Sequence, residues 1–246
     1  MLQNDYLAKV RDLINRLEST QGEPVNTAAD AVAAALAHGQ GFFISPMGHG
    51  NEGDLLGRAG GMMALRPFNY SLSVDNPIAD ALRDRPRVEG FEPDLDGARY
   101  AVRAGNLRSG DCLLVGSVSG RTPRMVSIAM AAREIGATVI VVTSMEYTAR
   151  VKAQHPSGNR LCDVGDIVLD NCAPYGDACL DVHGLSAPMF PLSGLGTTMV
   201  CWMLCAQVTE KLIERGLRPH VYLSVNREGG EEFNRVQLEG YNSTGY

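Results

Sequence analysis

One stretch of the sequence alternates between short apolar strands and a helix, and it restricts the fold more than any other feature. Residues 111–116 predict a strand, residues 123–134 predict a helix that Gly136 ends, and residues 137–143 predict a second strand. Two strands joined through a helix lie parallel in one sheet, with the helix against its face. The chain is therefore predicted to be an α/β protein built on a parallel sheet.

The remaining segments extend this pattern into one doubly wound domain over residues 1–246. Residues 67–93, rich in Pro, Asp, Asn and Arg, predict an irregular excursion, and residues 241–246 a mobile tail. The N-terminal helices, within residues 5–38, are expected to pack on the core or on a neighbouring subunit. Further strands are predicted at 41–45, 166–170 and 220–225, and further helices at 6–17 with Asp5 as its cap, 27–38, 52–59, 78–82 and 197–215.

A hydroxyl-rich turn connects the first of the alternating strands to its helix. It contains Ser117, Ser119 and Thr122, and Gly120 lets the chain curl. The first N–H groups of a helix lack internal partners and lie at the positive end of its dipole, so such a turn favours an anion. Thr122 is predicted to be the N-cap and Pro123 the first helical residue. The alternative is a serine-rich capping turn without a ligand.

Composition excludes several classes of protein. The net charge is −6 and there is no long basic run, which argues against nucleic acid or an anionic membrane as the main partner. Six cysteines without a C-x-x-C pair predict free thiols in a reducing compartment. The polar N-terminus lacks the layout of a signal peptide, and the most apolar stretch, 199–208, is too short to cross a bilayer. These features predict a cytoplasmic protein.

The turn at 117–122 resembles the phosphate-binding loop of sugar isomerase (SIS) domains. More distantly, the chain is similar to phosphoheptose isomerases and N-acetylmuramic acid 6-phosphate etherases. The resemblance extends over nearly the whole chain and is carried by residues 48–49, 58–61, 87–90, 117–122, 143–144, 155–158, 170–177 and 226–230.

This resemblance implies a three-layer, flavodoxin-like α/β domain of the SIS type that binds an anionic, phosphorylated sugar. It also implies a homodimer or homotetramer with sites near subunit interfaces. One departure concerns Pro46-Met47-Gly48-His49-Gly50, because these relatives commonly carry Gly-Ser-Gly-His-Ser there. Two hydroxyls are missing, so a sugar with a different anion, such as a sulfonate, is a minor hypothesis.

Isomerisation by proton transfer needs a base and a proton donor. Glu52 and Asp54 are the candidate bases, and Asp54 falls near the position where phosphoheptose isomerases carry a catalytic glutamate. Acids in a first helical turn are also favoured by the dipole alone. His49 and His155 are the candidate imidazoles, for proton transfer or ring opening. Each has an alternative role as a loop histidine bonded within its turn or to solvent.

Other residues are predicted to contact the substrate. Gly48 shares the turn of His49, and Asn171 follows a predicted strand. Asp170 and the segment 175–177 offer further acceptors and donors for sugar hydroxyls, or form a buried turn network. No ligand spacing singles out a metal, and no dinucleotide or Walker fingerprint is present, so neither a metal nor another cofactor is expected.

Aldose-ketose isomerisation of a sugar phosphate is the preferred function. A sugar-phosphate lyase, etherase or deglycase would use the same base and anion anchor. A non-catalytic phosphosugar-binding regulator is a third hypothesis, which the lack of a visible DNA-binding segment disfavours.

Overall fold

The computed structural model of the protein describes residues 1–86 and 88–246. Arg87, which opens the family segment 87–90, lies outside the described residues. A five-stranded sheet forms the centre, and all four of its strand pairs are parallel. Its strands are β1 (Phe42–Ile44), β2 (Leu65–Pro67), β3 (Cys112–Gly116), β4 (Thr138–Thr143) and β5 (Ile167–Asp170). The order β2-β1-β3-β4-β5 is the flavodoxin-like one. The predicted doubly wound α/β fold is confirmed.

Helices cover both faces of the sheet, which gives three layers. In chain order they are α1 (Leu2–Thr20), α2 (Gly22–Ala37), α3 (Pro93–Ala104), α4 (Pro123–Glu134), α5 (Met145–Ala149), α6 (Leu161–Val164), α7 (Ser193–Glu214) and α8 (Gly230–Thr244). Helices α1, α2 and α7 pack on one face, and α3, α4 and α6 on the other. A separate antiparallel hairpin consists of β6 (Ala178–Leu180) and β7 (Met189–Pro191). No helix in the described ranges is long and apolar enough to span a bilayer.

The central strands are buried on both sides, as their continuous apolar sequences predict. In β3, Cys112 and Leu114 face the layer of α1, α2 and α7, whereas Leu113 and Val115 face the layer of α3, α4 and α6. Side chains alternate between the two faces of a strand, so one strand supplies both cores. Each of these leucines stabilises the fold by about 1.5–3 kcal/mol relative to an exposed leucine.

Several predicted elements differ from the structure. Helix α1 begins at Leu2 with Met1 as its N-cap, so Asp5 lies inside the helix and does not cap it. Residues 220–225 are not a strand of the sheet, because their backbone pairs with residues 60–63 and Val221 forms only one antiparallel bridge, to Met62. Local β-propensity cannot distinguish a sheet strand from such a bridge.

Further differences from the predicted elements lie in the C-terminal region and in the loops between the strands and helices. Residues 241–246 are not a loose tail: they belong mostly to α8, and Tyr241 and Tyr246 pack against the core. The predicted helix at 52–59 is only a 3₁₀ turn at Asn51–Asp54, since glycines follow at 57, 60 and 61 and disfavour helix. Strand β2 and helix α3 were not predicted.

Candidate active site

A cavity of about 490 Å³ opens where the carboxyl ends of β1 and β3 lie side by side. The chain leaves these two neighbouring strands in different directions, because β2 lies on the far side of β1. Ligands in open α/β sheets bind at such a switch point. The cavity is lined by Pro46, Gly48, His49, Gly116, Ser117, Val118, Ser119, Thr122, Met125, Tyr147, Gly176, Asp177 and Ser193. The structure thus brings together seven of the predicted site residues, namely Gly48, His49, Ser117, Ser119, Thr122, Gly176 and Asp177.

The backbone carbonyls of the turn Ser117–Thr122 are held by the surrounding structure. Four successive carbonyls each accept a hydrogen bond. The donors are Gly120 N to Ser117 O (3.0 Å), Ser144 N to Val118 O (3.0 Å), Thr148 Oγ1 to Ser119 O (3.1 Å) and Leu161 N to Gly120 O (2.6 Å). Three of these donors come from outside the turn, from the segments that follow β4. The direction of the peptide planes is therefore set by tertiary contacts.

Three of the four N–H groups in these peptide units have no partner among the described residues, and the fourth, that of Gly120, is the donor to Ser117 O. In a planar trans peptide, the N–H of one residue points opposite to the carbonyl of the residue before it. The N–H groups of Val118, Ser119 and Arg121 consequently point away from the donors that hold the carbonyls. None of the three donates to an acceptor within residues 1–86 or 88–246. Successive free N–H groups, such as those of Val118 and Ser119, form an anion-binding nest, and the Arg121 N–H lies in the same turn.

Helix α4 begins at the end of this turn and adds to its positive potential. Thr122 is the N-cap and Pro123 the first helical residue, as predicted, but the Thr122 side chain does not cap the helix. Its Oγ1 lies 3.0 Å from Ser117 Oγ, and the hydroxyl that does not donate in this pair can donate to a ligand. The first turn of α4 carries no acidic residue, so its dipole is not neutralised there.

Gly120 is required by the close approach of two side chains. Its φ is +67°, and a Cβ on it would lie 2.7 Å from Thr148 Oγ1 and 3.1 Å from Thr143 Oγ1. These hydroxyls are 3.0 Å apart and bind the turn carbonyls, so neither can move without releasing the turn. Gly120 therefore leaves room for these two hydroxyls, in addition to its predicted role of letting the chain curl.

Replacing Thr148 with valine should weaken both the turn and ligand binding. Valine keeps the shape of threonine but leaves the carbonyl of Ser119 without its donor. Thr148 is only 1% exposed, so we expect the free energy of unfolding to fall by about 1–3 kcal/mol. Affinity for an anion at this turn, measured with inorganic phosphate, should fall about ten-fold, or about 1.4 kcal/mol. Urea denaturation and calorimetry measure the two effects. Thr148→Ser, which restores the hydroxyl, should recover both, and undiminished affinity in Thr148→Val would contradict the role of this hydroxyl.

The turn after β1 brings an imidazole to the opposite wall. His49 is exposed and lines the cavity, with no hydrogen-bond partner in the part of the chain that the structure describes. Met47, two residues earlier, is buried, and its N–H donates to Glu52 Oε2 at 2.8 Å. Glu52 thereby closes the turn that presents His49. An imidazole in this position can take a proton from a bound ligand or give one to it.

The two candidate carboxylates do not line the cavity. Glu52 is half-buried and is engaged by the Met47 N–H. Asp54 is exposed and forms an ion pair with Arg58 one helical turn later. Because its partner holds it at the surface, the structure does not bring Asp54 to the site where the sequence pattern places a base.

His155 is also outside the cavity lining. It is buried, and its Nδ1 accepts a hydrogen bond from Ser157 N at 3.1 Å. This assigns the ring proton to Nε2, which lies 3.1 Å from Ser127 Oγ in α4. Both ring nitrogens are occupied in linking α4 to the loop before α6. The structure therefore gives His155 a structural position, not one beside a ligand.

Asn171 occupies a similar internal position. Its side chain is fully buried, Nδ2 donates to Thr197 Oγ1 at 3.0 Å and Oδ1 accepts from Ala173 N at 3.0 Å. It ties the turn after β5 to helix α7. The structure does not bring Asn171 to the cavity, because all of these bonds are made inside the protein and Asn171 is not part of the lining.

Tyr147 and Ser193 line the cavity but were not predicted. Tyr147 lies in α5, whose N-cap Ser144 accepts from Tyr147 N at 3.0 Å. A Ser directly after a strand is a recognisable helix start. Ser193 begins α7 four residues before the predicted start of that helix, because Asp177 caps it from a distant part of the chain.

The cysteines contribute to packing and are not placed to act as nucleophiles. Burial raises the pKa of Cys112 and of Cys205 to about 12, and it also raises the pKa of Cys172 and Cys179. A thiol with a raised pKa is a poor nucleophile at neutral pH. No cysteine lines the cavity. In the described ranges, no group of three or more His, Cys, Asp or Glu side chains is placed to hold a metal ion.

Comparison with known proteins agrees with the fold. The model of the SIS domain matches residues 5–144, more than half of the chain. A UPF0309 protein of Listeria innocua is 30% identical over 243 residues, which cover 97% of this chain and 95% of that protein. A UPF0309 protein of Caldanaerobacter subterraneus is 32% identical over 241 residues, 96% of each chain.

A solved structure shares the architecture. The phosphoheptose isomerase of Neisseria gonorrhoeae superposes with a TM-score of 0.53 and 19% identity, over 85% of this chain and all of that one. At this identity the likeness concerns the fold alone. The matched segment 5–144 runs from α1 through β4 and contains both the His49 turn and the Ser117–Thr122 turn. The chain therefore belongs to the SIS-domain family and, within it, to the UPF0309 proteins.

Proposed function

We propose that the protein binds a phosphorylated sugar and interconverts its aldose and ketose forms by proton transfer. One observation supports an anion as the ligand: the N–H groups of Val118 and Ser119, which line the cavity, and that of Arg121 in the same turn have no partner among the described residues, and they lie beside an uncompensated helix N-terminus. A phosphate offers acceptor oxygens to such groups and is favoured by the dipole. The fold is shared with the phosphoheptose isomerase of Neisseria gonorrhoeae, which supports a sugar phosphate as the ligand.

His49 is the proposed proton-transfer group. Isomerisation moves a proton between adjacent carbons through an enediol, and one positioned base can remove and return it. With the phosphate on the Ser117–Thr122 turn, the sugar extends across the cavity toward the His49 turn. Tyr147 and Asp177, also in the lining, offer hydrogen bonds to sugar hydroxyls. Glu52 does not line the cavity, but its bond from the Met47 N–H closes the turn that presents His49, so we propose it as a positioning residue.

A thermal-shift screen tests the anion site. The panel contains inorganic phosphate, hexose and heptose phosphates, amino-sugar phosphates and a sulfonated hexose. A ligand at 100 times its Kd stabilises a protein by about 2.7 kcal/mol. This corresponds to about 5–10 °C in Tm for a chain of this size. The variant Ser119→Ala/Thr122→Ala should lose most of that shift. An equal shift in the double variant, or none across the panel in the wild type, would overturn the proposed site.

Proton transfer is tested on the sugar that stabilises the protein best. In D₂O, isomerisation through an enediol should place deuterium at C2 of the product aldose, which NMR detects. Release of an ether or amine substituent instead would identify a lyase or deglycase. Binding without any turnover would support a regulator.

We also propose that the protein forms a homodimer or homotetramer. Ile14 of α1 is 42% exposed and, with Trp202 and Met203 of α7, lines a predominantly apolar groove. An exposed apolar groove on a folded chain is typical of a subunit contact. Sedimentation of only monomer at micromolar concentration would contradict this assembly.

A further inference from the structure

Two helix N-termini meet at the cavity, and they differ in charge. The N-terminus of α4 carries no carboxylate, as described above. The N-terminus of α7 is occupied by the Asp177 carboxylate, which itself lines the cavity. Both ends have the dipole that attracts anions, but only one of them is free.

Asp177 is held firmly in this position. Its Oδ1 accepts from Leu192 N at 3.0 Å and Ser193 N at 2.7 Å, and its Oδ2 accepts from Ser193 Oγ at 2.8 Å. Its φ of +69° is in the left-handed region that non-glycine residues rarely adopt. Three hydrogen bonds maintain this backbone conformation, so the carboxylate is a fixed part of the cavity wall.

No cation among the described residues cancels the charge of Asp177. Within residues 1–86 and 88–246, no Lys, Arg or His nitrogen lies within 4 Å of its carboxylate. It therefore presents a negative potential to a ligand, opposite in sign to that of the Ser117–Thr122 turn. The cavity is polarised, with a positive anchor at one wall and a negative group at another.

We propose that Asp177 restricts the site to sugars with a single anionic group and rejects sugar bisphosphates and phosphorylated sugar acids. This inference rests on the proposed binding of a sugar phosphate at the turn. With the phosphate anchored there, a second anion at the far end of the sugar meets the fixed carboxylate in a cavity partly shielded from water. A neutral hydroxyl at the same place can instead donate to the second lone pair of Asp177 Oδ2.

Asp177→Asn removes the charge and keeps the shape. The asparagine Oδ1 can still accept from the backbone N–H groups of Leu192 and Ser193, and its amide can donate to Ser193 Oγ. Asp170→Asn is the matched control. Asp170 also accepts two backbone N–H groups, from Met145 and Cys172, at the other end of the same loop, but it does not line the cavity.

Calorimetry at fixed ionic strength would compare fructose 6-phosphate with fructose 1,6-bisphosphate, and glucose 6-phosphate with 6-phosphogluconate. We expect the wild type to bind the sugar with one anionic group more tightly than its partner with two. Asp177→Asn should reduce this preference about ten-fold, which is the effect expected from removing one unit charge several ångströms from the second anion. Affinity for the monophosphates should itself fall, by about three-fold, because an amide oxygen accepts the bond from a sugar hydroxyl less strongly than a carboxylate does; the ratio of affinities within each pair of sugars is therefore the quantity that tests the inference. Asp170→Asn should keep the wild-type preference. Thermal melts confirm that both variants are folded.

The outcomes separate the two proposals. Monophosphate binding with the same preference in wild type and Asp177→Asn would overturn the role of Asp177 and leave the anion turn intact. Absence of binding by any sugar phosphate would overturn both. If Asp177→Asn does not fold, the test is made on the wild type alone. Its preference for the sugar with one anionic group should weaken as salt rises from about 0.05 to about 0.5 M, because salt screens the repulsion between Asp177 and a second anion. A preference that is absent from the wild type, or that salt does not change, would overturn the inference.

Discussion

Replacing Gly120 with alanine should reduce affinity for a sugar phosphate more than 100-fold, or more than about 2.7 kcal/mol. The new Cβ would lie 2.7 Å from Thr148 Oγ1, a distance that real Cβ atoms essentially never show. Relieving this contact breaks the bond from Thr148 to the carbonyl of Ser119 and rotates the peptide planes of the turn. The free N–H groups of Val118, Ser119 and Arg121 then lose the directions that they have in the wild-type turn. Calorimetry with the best-bound sugar phosphate measures the loss.

Gly39→Ala is the matched control for Gly120→Ala. Gly39 has a similar φ of +74°, but a Cβ there meets nothing within 4 Å. Both variants therefore pay a strain of about 1–3 kcal/mol for a left-handed residue that is not glycine. Only Gly120→Ala should lose binding. Equal affinities in the two variants would show that the close approach at Gly120 is not what shapes the anion site.

Replacing His49 with glutamine should lower turnover by about 10²–10⁴-fold, the usual contribution of a general acid or base. Glutamine retains hydrogen-bonding groups but cannot carry the proton. Because the phosphate is held by the other wall, affinity for the sugar should change less than about five-fold. Steady-state rates together with calorimetric Kd values separate the two effects. Unchanged turnover in His49→Gln would exclude the imidazole as the proton-transfer group.

The carboxylate variants complete this test. Asp54→Asn should leave turnover unchanged, since Asp54 is at the surface in an ion pair with Arg58. Glu52→Gln keeps an acceptor for the Met47 N–H and should lose less than about ten-fold, whereas Glu52→Ala should lose more. A large loss of turnover with normal binding in Asp54→Asn or Glu52→Gln would instead return the role of base to that carboxylate.

Local signals were strong enough to predict the centre of the fold. Helix α4 has the predicted bounds of 123–134, and strands β3 and β4 each begin one residue after their predicted starts. Their apolar periodicity, the Thr122-Pro123 start and the glycine after the helix all act within a few residues. Strand β2 and the bridge at Val221 depend on pairing with distant backbone, so short-range patterns did not identify them.

The candidate site likewise combines features that local sequence predicted with features that depend on distant contacts. The turns that carry His49 and Ser119 follow predicted strands, and parallel strands place such turns at one edge of the sheet. His155 and Asn171 are polar residues in comparable loops, yet they bond internally. Nothing in a loop sequence distinguishes a polar group that meets a ligand from one that satisfies a buried neighbour.

By itself, the sequence determined that an α/β domain carries a glycine-containing hydroxyl turn between β3 and α4, because propensity, capping and apolar periodicity are short-range properties. Only the tertiary structure decided that the N–H groups of Ser119 and Arg121 in this turn have no partner among the described residues. Their direction follows from the donors Ser144 and Leu161, which lie about 25–40 residues farther along the chain and hold the opposite carbonyls of Val118 and Gly120. The tertiary structure likewise brought Asp177 to the start of α7, where it gives the cavity its second, negative wall.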